Sequence, residues 1–180
     1  MNAVTPNDSV LSMLSSKIES SVNAVCKVIS WCYLMLVAAI IVQLILRKGF
    51  ANGLIALEEL QWHLYAIGIL FGLSYAQIQN AHIRVDIFHQ HFNEKTKAII
   101  EIVGLLLLAF PFLMTIFWHS LPFVYDAWRI GESSASPSGL PMRWLIKAVM
   151  PLSTGLLMVT MLASLLRKFD VLMGGSQHGR

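Results

Sequence analysis

The chain has 180 residues, of which 56% are hydrophobic and only 13% are charged. This composition excludes an ordinary soluble domain and favours a membrane protein. The formal net charge of +3 is too small to indicate a nucleic-acid surface and suits loops that face anionic lipid, so we expect phospholipid and no nucleic acid among the partners.

The first predicted element is an amphipathic helix near the amino terminus. From about Ser9 onward, apolar residues recur at the three- and four-residue spacing of one helical face. They are Leu11, Leu14, Ile18, Val22 and Val25. We expect residues 1–24 to form a cytoplasmic segment that contains this interfacial helix, with its apolar stripe on lipid or on a partner. A cytoplasmic extension of the first membrane span is the alternative.

Four apolar stretches follow, and each is long enough to cross a bilayer, which takes about 20 residues. They run over Val28–Leu46, Leu60–Ala81, Ile99–Leu121 and Ala148–Leu166. The sequence therefore predicts an all-α integral membrane protein. Four transmembrane helices occupy residues 25–168, with short interfacial helices beside them and a cytoplasmic tail over residues 169–180.

The predicted spans are almost free of ionisable groups. Glu101 is the one carboxylate that enters a span, about two turns from its inner end. Proteins that carry ions or charged solutes usually place charged side chains at mid-membrane depth, although each costs a few kcal/mol. This pattern argues against a self-contained transporter and favours a subunit of a larger assembly.

Two signals orient the chain in the membrane. Lysine and arginine are modestly enriched on the side that holds both chain termini, and the positive-inside rule places that side in the cytoplasm. Tryptophan rings prefer the membrane boundary, where the indole N–H finds a wet partner. Trp31 then lies at the inner boundary, and the other four lie at the outer one: Trp62, Trp118, Trp128 and Trp144.

The second span opens with two carboxylates and contains a stripe of small residues. Glu58 and Glu59 are favoured there by the helix macrodipole; the functional alternative is a docking contact or an ion pair with Arg47 or Lys48 of the first outer loop. Further along, Gly68 and Gly72 form a small-xxx-small pattern that predicts close helix packing.

The segment after the second span carries histidines and an aspartate. His82, Asp86, His89 and His91 resemble a set of metal ligands in composition. If the segment is helical, however, only some of them share a face, and all face solvent. An amphipathic segment on the inner leaflet is therefore the favoured interpretation, and we expect no metal site.

The second outer segment, Tyr125–Lys147, is the longest loop and the obvious place for a partner to bind. Pro141 suits the first turn of a short helix on the membrane surface, and Pro151 then marks a bend into the fourth span. Within the third span, Pro111 predicts a kink unless neighbouring groups compensate for it.

Two histidines offer a different function. His63 and His119 lie near the outer ends of antiparallel spans, so a bis-histidine haem b in the membrane anchor of a respiratory complex is conceivable. An interfacial histidine that bonds water or headgroups is the simpler interpretation. Nothing in the chain resembles a nucleophile with its base or a phosphate-binding glycine loop, so no enzymatic activity is expected.

The order of these residues resembles the small membrane subunit of TRAP (tripartite ATP-independent periplasmic) transporters, the DctQ-like family. The resemblance covers roughly residues 25–168, although Lys48 replaces the usual aromatic residue and the last outer loop is long. The matching features are Arg47, Glu58-Glu59-Leu60, His82-Ile83-Arg84-Val85-Asp86, Gly139-Leu140-Pro141 and Pro151-Leu152.

This resemblance implies a non-catalytic subunit, in the bacterial inner membrane, of a sodium-driven importer of organic acids. Its partners would be a large DctM-like permease subunit, which holds the substrate and sodium sites, and a periplasmic DctP-like binding protein. The subunit itself would hold no cofactor. The expected docking residues are Arg47, Lys48, Glu58, Glu59, Arg129, Glu132, Arg143 and Lys147; the expected family or subunit-contact residues are Glu59, His82, Arg84 and Asp86.

Overall fold

The structure, a computed structural model, describes residues 10–79 and 93–172. Helices and loops alone make up these two ranges, as the all-α prediction requires. A π-helical segment, Leu105–Ala109, joins two of the α-helices without a break. The six α-helices are α1 (Val10–Ile29), α2 (Trp31–Gly49), α3 (Ile55–Ile78), α4 (Glu94–Gly104), α5 (Phe110–Arg129) and α6 (Arg143–Leu172).

Side-chain contacts give the directions of the helices. The Gln43 amide donates to the Leu54 carbonyl (3.3 Å) and the Gln61 amide to the Ala39 carbonyl (3.2 Å), so α2 and α3 are antiparallel. α3 and α6 run in the same direction. We call the end where α3 and α6 begin the Arg47 end, and the opposite end the Arg167 end.

Helix α6 is the centre of the bundle, because α1, α3, α4 and α5 all pack against it. In the most apolar part of α6, 50% of the residues are buried. The corresponding share is 11% in the apolar stretches Met13–Gly49 and Thr96–Arg129. Small and hydroxyl-bearing side chains allow this close packing, and hydroxyls such as that of Thr160 donate to carbonyls of the same helix. The buried residues of α6 include Ser153, Thr154, Leu157, Thr160, Ala163, Ser164 and Leu165.

Helix α1 packs against the bundle of its own chain. Only Ser30 separates it from α2, and it contacts α3 and α6 with Ser15, Val22 and Cys26 buried. Its apolar stripe was expected on lipid or on a partner. Val22 of that stripe is buried in the bundle instead, whereas Leu14 and Val25 are 49% and 43% exposed. The Cys26 thiol lies 3.7 Å from the Phe71 carbonyl oxygen at this contact.

Three helical stretches are long and apolar enough to cross a membrane among the residues described. They are Met13–Gly49, Thr96–Arg129 and Arg143–Phe169, with 37, 34 and 27 residues. At about 1.5 Å per residue the first two measure roughly 50–55 Å, so each extends well past a hydrocarbon core of about 30 Å. Helix α3 covers most of the predicted span Leu60–Ala81. It is long enough to cross, but Gln61, His63 and Gln77 make it less apolar than the other three stretches.

The prolines of the long helices do not interrupt them. Pro111 lies two residues after the end of the π-helical segment, where the wider turn accommodates a proline that has no N–H to donate to the preceding turn. Pro151 lies buried inside the single helix α6. The prediction of a separate surface helix before a bend at Pro151 is therefore wrong, because residues 143–150 form the first two turns of α6.

Candidate functional site

The Arg47 end of the bundle gathers most of the charged residues that the sequence singles out. Arg47 at the end of α2 pairs with Glu58 at the start of α3, with 3.1 Å between Nη2 and Oε2. Both side chains are about half exposed, so the pair contributes little to stability. Lys48 beside it is exposed, and the residues described here include no ion-pair partner for it.

Glu59 fastens α3 to the connection between α5 and α6, residues 130–142, which we call the α5–α6 loop. One carboxylate oxygen accepts a hydrogen bond from the Ser134 hydroxyl, and the other accepts from the Leu140 backbone N–H at 2.7 Å. The Ser134 hydroxyl oxygen also accepts from the Ser136 N–H at 3.2 Å. One carboxylate thus organises three groups of a loop more than 70 residues away in the sequence.

Gly139 makes this arrangement possible. A Cβ atom on Gly139 would lie 2.3 Å from the side chain of Ser134 and 2.8 Å from Oε1 of Glu59. No other residue type fits there without moving the loop away from the carboxylate. The close approach accounts physically for the glycine of the Gly139-Leu140-Pro141 sequence.

A second carboxylate, Glu132, ties the start of the α5–α6 loop to α6. It pairs with Lys147 and lies 4.0 Å from Nε of Arg143, and its carbonyl accepts from the Arg143 N–H at 2.9 Å. The Lys147 ammonium group also lies 4.0 Å from the centre of the Phe123 ring on α5. These contacts hold the loop where its backbone turns through positive φ, at Gly131 and Met142.

The surroundings of Glu59 keep it ionised. The hydrogen bond from Ser134, then that from Leu140, lowers the pKa of the Glu59 carboxyl, and Arg143 adds to the effect. Donors that bond the charged form stabilise it relative to the protonated acid. Glu59 is therefore a carboxylate at neutral pH, and as a carboxylate it bonds the loop most strongly.

A family model for the DctQ component of tripartite ATP-independent periplasmic transporters matches residues 36–171, which is well over half of the chain. The chain belongs to the DctQ family. DctQ proteins are non-catalytic membrane components that work with DctM and DctP components, so this protein is a transporter subunit and not an enzyme. No curated protein and no solved structure matches the chain.

The structure distributes the eight residues expected to dock a partner of this DctQ subunit over four places. Arg47 and Glu58 pair with each other; Glu59, Glu132, Arg143 and Lys147 surround the α5–α6 loop. Arg129 is exposed and pairs with Asp126 at 3.6 Å. Lys48 stands by itself. Ser134 and Phe123 were missed because their partners, Glu59 and Lys147, are 75 and 24 residues away and leave no spacing signal. Asp126 was also missed, although its i,i+3 spacing to Arg129 was a signal that could have found it.

The two glycines of α3 face α2 in different ways. A Cβ atom on Gly68 would lie 2.5 Å from Cζ of the Tyr33 ring, whereas one on Gly72 would meet only the Tyr33 hydroxyl, at 3.9 Å. The Tyr33 ring of α2 therefore packs directly on Gly68, whereas a side chain at Gly72 would meet only the hydroxyl of that ring.

The remaining candidate residues do not form a site among the residues described. His119 is exposed and bonds the Thr115 carbonyl of its own helix at 2.9 Å. His63 lies on α3, and α3 and α5 each pack against α6, so nothing in this geometry supports a haem between the two histidines. The expected contact residues His82, Arg84 and Asp86 lie outside the described residues, as do His89 and His91.

Proposed function

We propose that this chain is the small subunit of a sodium-driven TRAP transporter that imports an organic acid. It scaffolds the large DctM-like permease subunit in the bacterial inner membrane and helps to dock the periplasmic DctP-like binding protein at the Arg47 end. The family match over residues 36–171 carries this proposal. Substrate and sodium are bound by the large subunit, and this subunit holds no cofactor.

Helix α3 is the fourth span in this proposal. Its polar side chains bond inside the bundle: Gln61 donates to the Ala39 carbonyl, and Gln77 donates to the Ser164 hydroxyl at 3.4 Å. A polar side chain that is satisfied by a neighbouring helix is compatible with a membrane environment. Residues 60–78 of α3 would extend about 28 Å, close to the thickness of a hydrocarbon core.

The chain alternates direction from α2 to α6, so four spans place both termini on one side. We assign that side, the Arg167 end, to the cytoplasm and the Arg47 end to the periplasm, in keeping with the modest excess of lysine and arginine there. An impermeant maleimide tests this in a cysteine-free background. Ser138→Cys should be labelled in intact cells, and Ser20→Cys only after permeabilisation; the reverse result would invert the topology.

The scaffolding role is supported by apolar faces that the bundle leaves uncovered. Leu107, Leu108 and Phe112, at the junction of the π-helical segment with α5, are 65–75% exposed. The outward face of α2 is similarly apolar, for example at Leu34 and Ile41. In a membrane such faces pack against lipid or another subunit, and a bundle with two of them suits a scaffold.

Uptake in proteoliposomes tests the function. The small and large subunits are reconstituted together, supplied with the binding protein of the same system and a sodium gradient, and assayed with labelled dicarboxylates, 2-oxoacids and sialic acid. Uptake of one class should require all three proteins and inward sodium. Uptake without the small subunit, or by the small subunit alone, would contradict the proposal.

Docking at the Arg47 end is tested with exposed cations that do not hold the loop. Lys48→Glu and Arg129→Glu should slow association of the binding protein at low salt, because exposed charges act mainly on association rate. Lys17→Glu, an exposed cation on α1 toward the other end, is the matched control. Equal association rates for all three variants, with assembly intact, would show that Lys48 and Arg129 do not steer the binding protein to this end of the bundle.

A further inference from the structure

We propose that Glu59 is a positioning residue for docking: it holds the α5–α6 loop in the one conformation that the binding protein recognises. This rests on the function proposed above and goes further, because it makes the shape of the loop, and not the charge around it, the feature that is recognised. Three observations support it: the direction of the loop's hydrogen bonds, the surface that the loop presents, and the pairing of the nearby charges.

The hydrogen bonds of the loop converge on one carboxylate from a different helix. Ser134 and Leu140 lie at opposite sides of the loop, joined by a bond from the Ser134 N–H to the Leu140 carbonyl at 3.1 Å. Glu59 accepts a hydrogen bond from each of them and so links the two sides of the loop to α3. Without the carboxylate, the Ser134 hydroxyl and the Leu140 N–H would lose their acceptor. Unsatisfied donors cost free energy, so the loop would be expected to rearrange to satisfy them.

A comparison with neighbouring Glu58 shows that the helix macrodipole alone does not account for the contacts of Glu59. Both carboxylates lie near the amino end of α3, where the macrodipole favours acidic side chains. Glu58 satisfies this preference while exposed and paired with Arg47. Glu59 instead reaches the α5–α6 loop, whose backbone at Gly139 comes so close that only a glycine fits beside the carboxylate.

The middle of the loop, residues 133–138, exposes small or rigid residues, and the exposed side chains of Ile130 and Met142 flank it. Its exposed members include Ser133, Ala135, Pro137 and Ser138. Small side chains and a proline lose little conformational entropy when a partner covers them. A loop that is already held in its binding conformation spares the partner the cost of ordering it, so a fixed loop of this composition is suited to recognition by shape.

The charges around the loop are largely neutralised within the chain. Lys147 and Arg143 face Glu132, Arg129 faces Asp126, and Arg47 faces Glu58. Among the described residues at this end, Lys48 is the cation without an ion pair. A surface with so little net charge offers weak long-range attraction, so affinity depends on the fit of the loop.

The test compares neighbouring glutamates in the complete complex. The small and large subunits are purified together and placed in nanodiscs, and the substrate-loaded binding protein is titrated onto them. Amide exchange of residues 131–142 reports the loop, and the midpoint of thermal unfolding with co-purification of the large subunit reports assembly. The variants are Glu59→Ala, Glu59→Gln and Ser134→Ala, with Glu58→Ala as the matched control.

For Glu59→Ala we expect faster loop exchange and a dissociation constant for the binding protein raised by about tenfold or more, since two hydrogen bonds to a charged acceptor are lost. Glu59→Gln, which keeps an acceptor oxygen, should recover part of this loss. Glu58→Ala should remain within about twofold of the wild type, because its exposed pair is worth little. Assembly should be unchanged throughout.

Each result decides the matter. Faster loop exchange with an unchanged dissociation constant would overturn the proposal and leave Glu59 a structural contact. If Glu59→Ala prevents assembly, Ser134→Ala decides, since it removes a single hydroxyl: weaker docking supports the proposal and unchanged docking overturns it. A wild-type complex that does not bind the binding protein would instead refute the proposed function.

Discussion

The carboxylate of Glu101 on α4 pairs with the ammonium group of Lys168 on α6 near the Arg167 end of the bundle. Next to it, Arg167 pairs with Glu19 of α1 at 3.3 Å. Glu101 is the one carboxylate that the sequence places inside a predicted span, and a cation from the central helix meets it there. Two consecutive cations of α6 thus pair with α1 and α4.

Replacing Lys168 should destabilise the bundle. Both side chains of the pair are only about one-fifth exposed, so Lys168→Ala leaves a poorly solvated carboxylate without this partner, at a cost of about 1–3 kcal/mol. We expect a lower midpoint of thermal unfolding for the subunit in detergent, followed by tryptophan fluorescence. Lys17→Ala, on an exposed lysine, is the control and should leave the midpoint in place.

The charge-swapped double variant, Glu101→Lys with Lys168→Glu, separates pairing from packing. It should recover part of the loss caused by Lys168→Ala, because the pair is restored in the opposite sense. A double variant less stable than Glu101→Lys alone and Lys168→Glu alone would show that attraction between these two groups does not stabilise the bundle.

Gly68 should tolerate no larger residue. A Cβ atom there would lie 2.5 Å from the Tyr33 ring of α2, so Gly68→Val should separate α2 from α3 and lower the unfolding midpoint; overpacking of this kind costs about 1–3 kcal/mol. Gly72→Val is the matched control, since its nearest neighbour is a hydroxyl at 3.9 Å. Tyr33→Ala should rescue Gly68→Val; equal effects of the two glycine variants would show that the Tyr33 ring does not pack tightly on Gly68.

The periodicity of the sequence predicted most of the helices but not their partners. The 3.6-residue pattern before the first span correctly indicates a helix, now α1, yet a pattern shows only that a face is apolar and not what covers it. Val22 of the stripe is buried where α1 meets α3 and α6, whereas Leu14 and Val25 of the same stripe remain exposed. The length of α6 was missed because Pro151 suggested a boundary that the helix passes through.

The tryptophans that were predicted to share one level do not all do so. Phe117, beside Trp118, contacts α6 at Gly155, 11 residues beyond Trp144 along that helix. At about 1.5 Å per residue this separates the levels of Trp118 and Trp144 along α6 by roughly 16 Å, so the two rings do not lie at one level as the sequence predicted. The predicted span ended at Leu121, whereas α5 continues to Arg129.

The candidate site was only half visible in the sequence. Glu59, Glu132, Arg143 and Lys147 were selected because they are charged and lie in predicted outer segments. Their assignment to one loop depends on Ser134 and Gly139, whose roles arise from contacts with a residue 75 or more positions away. A single sequence records which residues are polar, but not which distant backbone they meet.

Lys147 should matter more for stability than Arg47, although both are cations at the same end of the bundle. The Lys147 side chain is 16% exposed, pairs with Glu132 and covers the Phe123 ring; removing it leaves a half-buried carboxylate and an uncovered ring. We expect Lys147→Ala to cost about 1–3 kcal/mol. Arg47→Ala breaks a pair that is about half exposed and should cost less than about 1 kcal/mol.

Thermal unfolding of the two alanine variants measures this difference. Lys147→Met, which keeps most of the apolar stem, should fall between Lys147→Ala and the wild type if both the stem and the charge contribute. If Arg47→Ala lowers the unfolding midpoint as much as Lys147→Ala does, the prediction that the more buried cation contributes more to stability is wrong.

The contact between Glu59 and the α5–α6 loop should resist mild acid and fail in strong acid. Hydrogen bonds from Ser134 and Leu140 lower the pKa of this carboxyl in the folded protein. Its contribution to stability is therefore complete above the ordinary glutamate pKa, about 4.3, and disappears as the pH falls through the lower folded value. The protection factor of the Leu140 amide, which donates to Glu59, should stay level from neutral pH to about pH 5 and decrease below pH 4. The control for this measurement is Glu59→Gln, in which the protection factor of the Leu140 amide should be lower at neutral pH and nearly independent of pH. A wild-type protection factor that already falls between pH 7 and 6 would require a different titrating group.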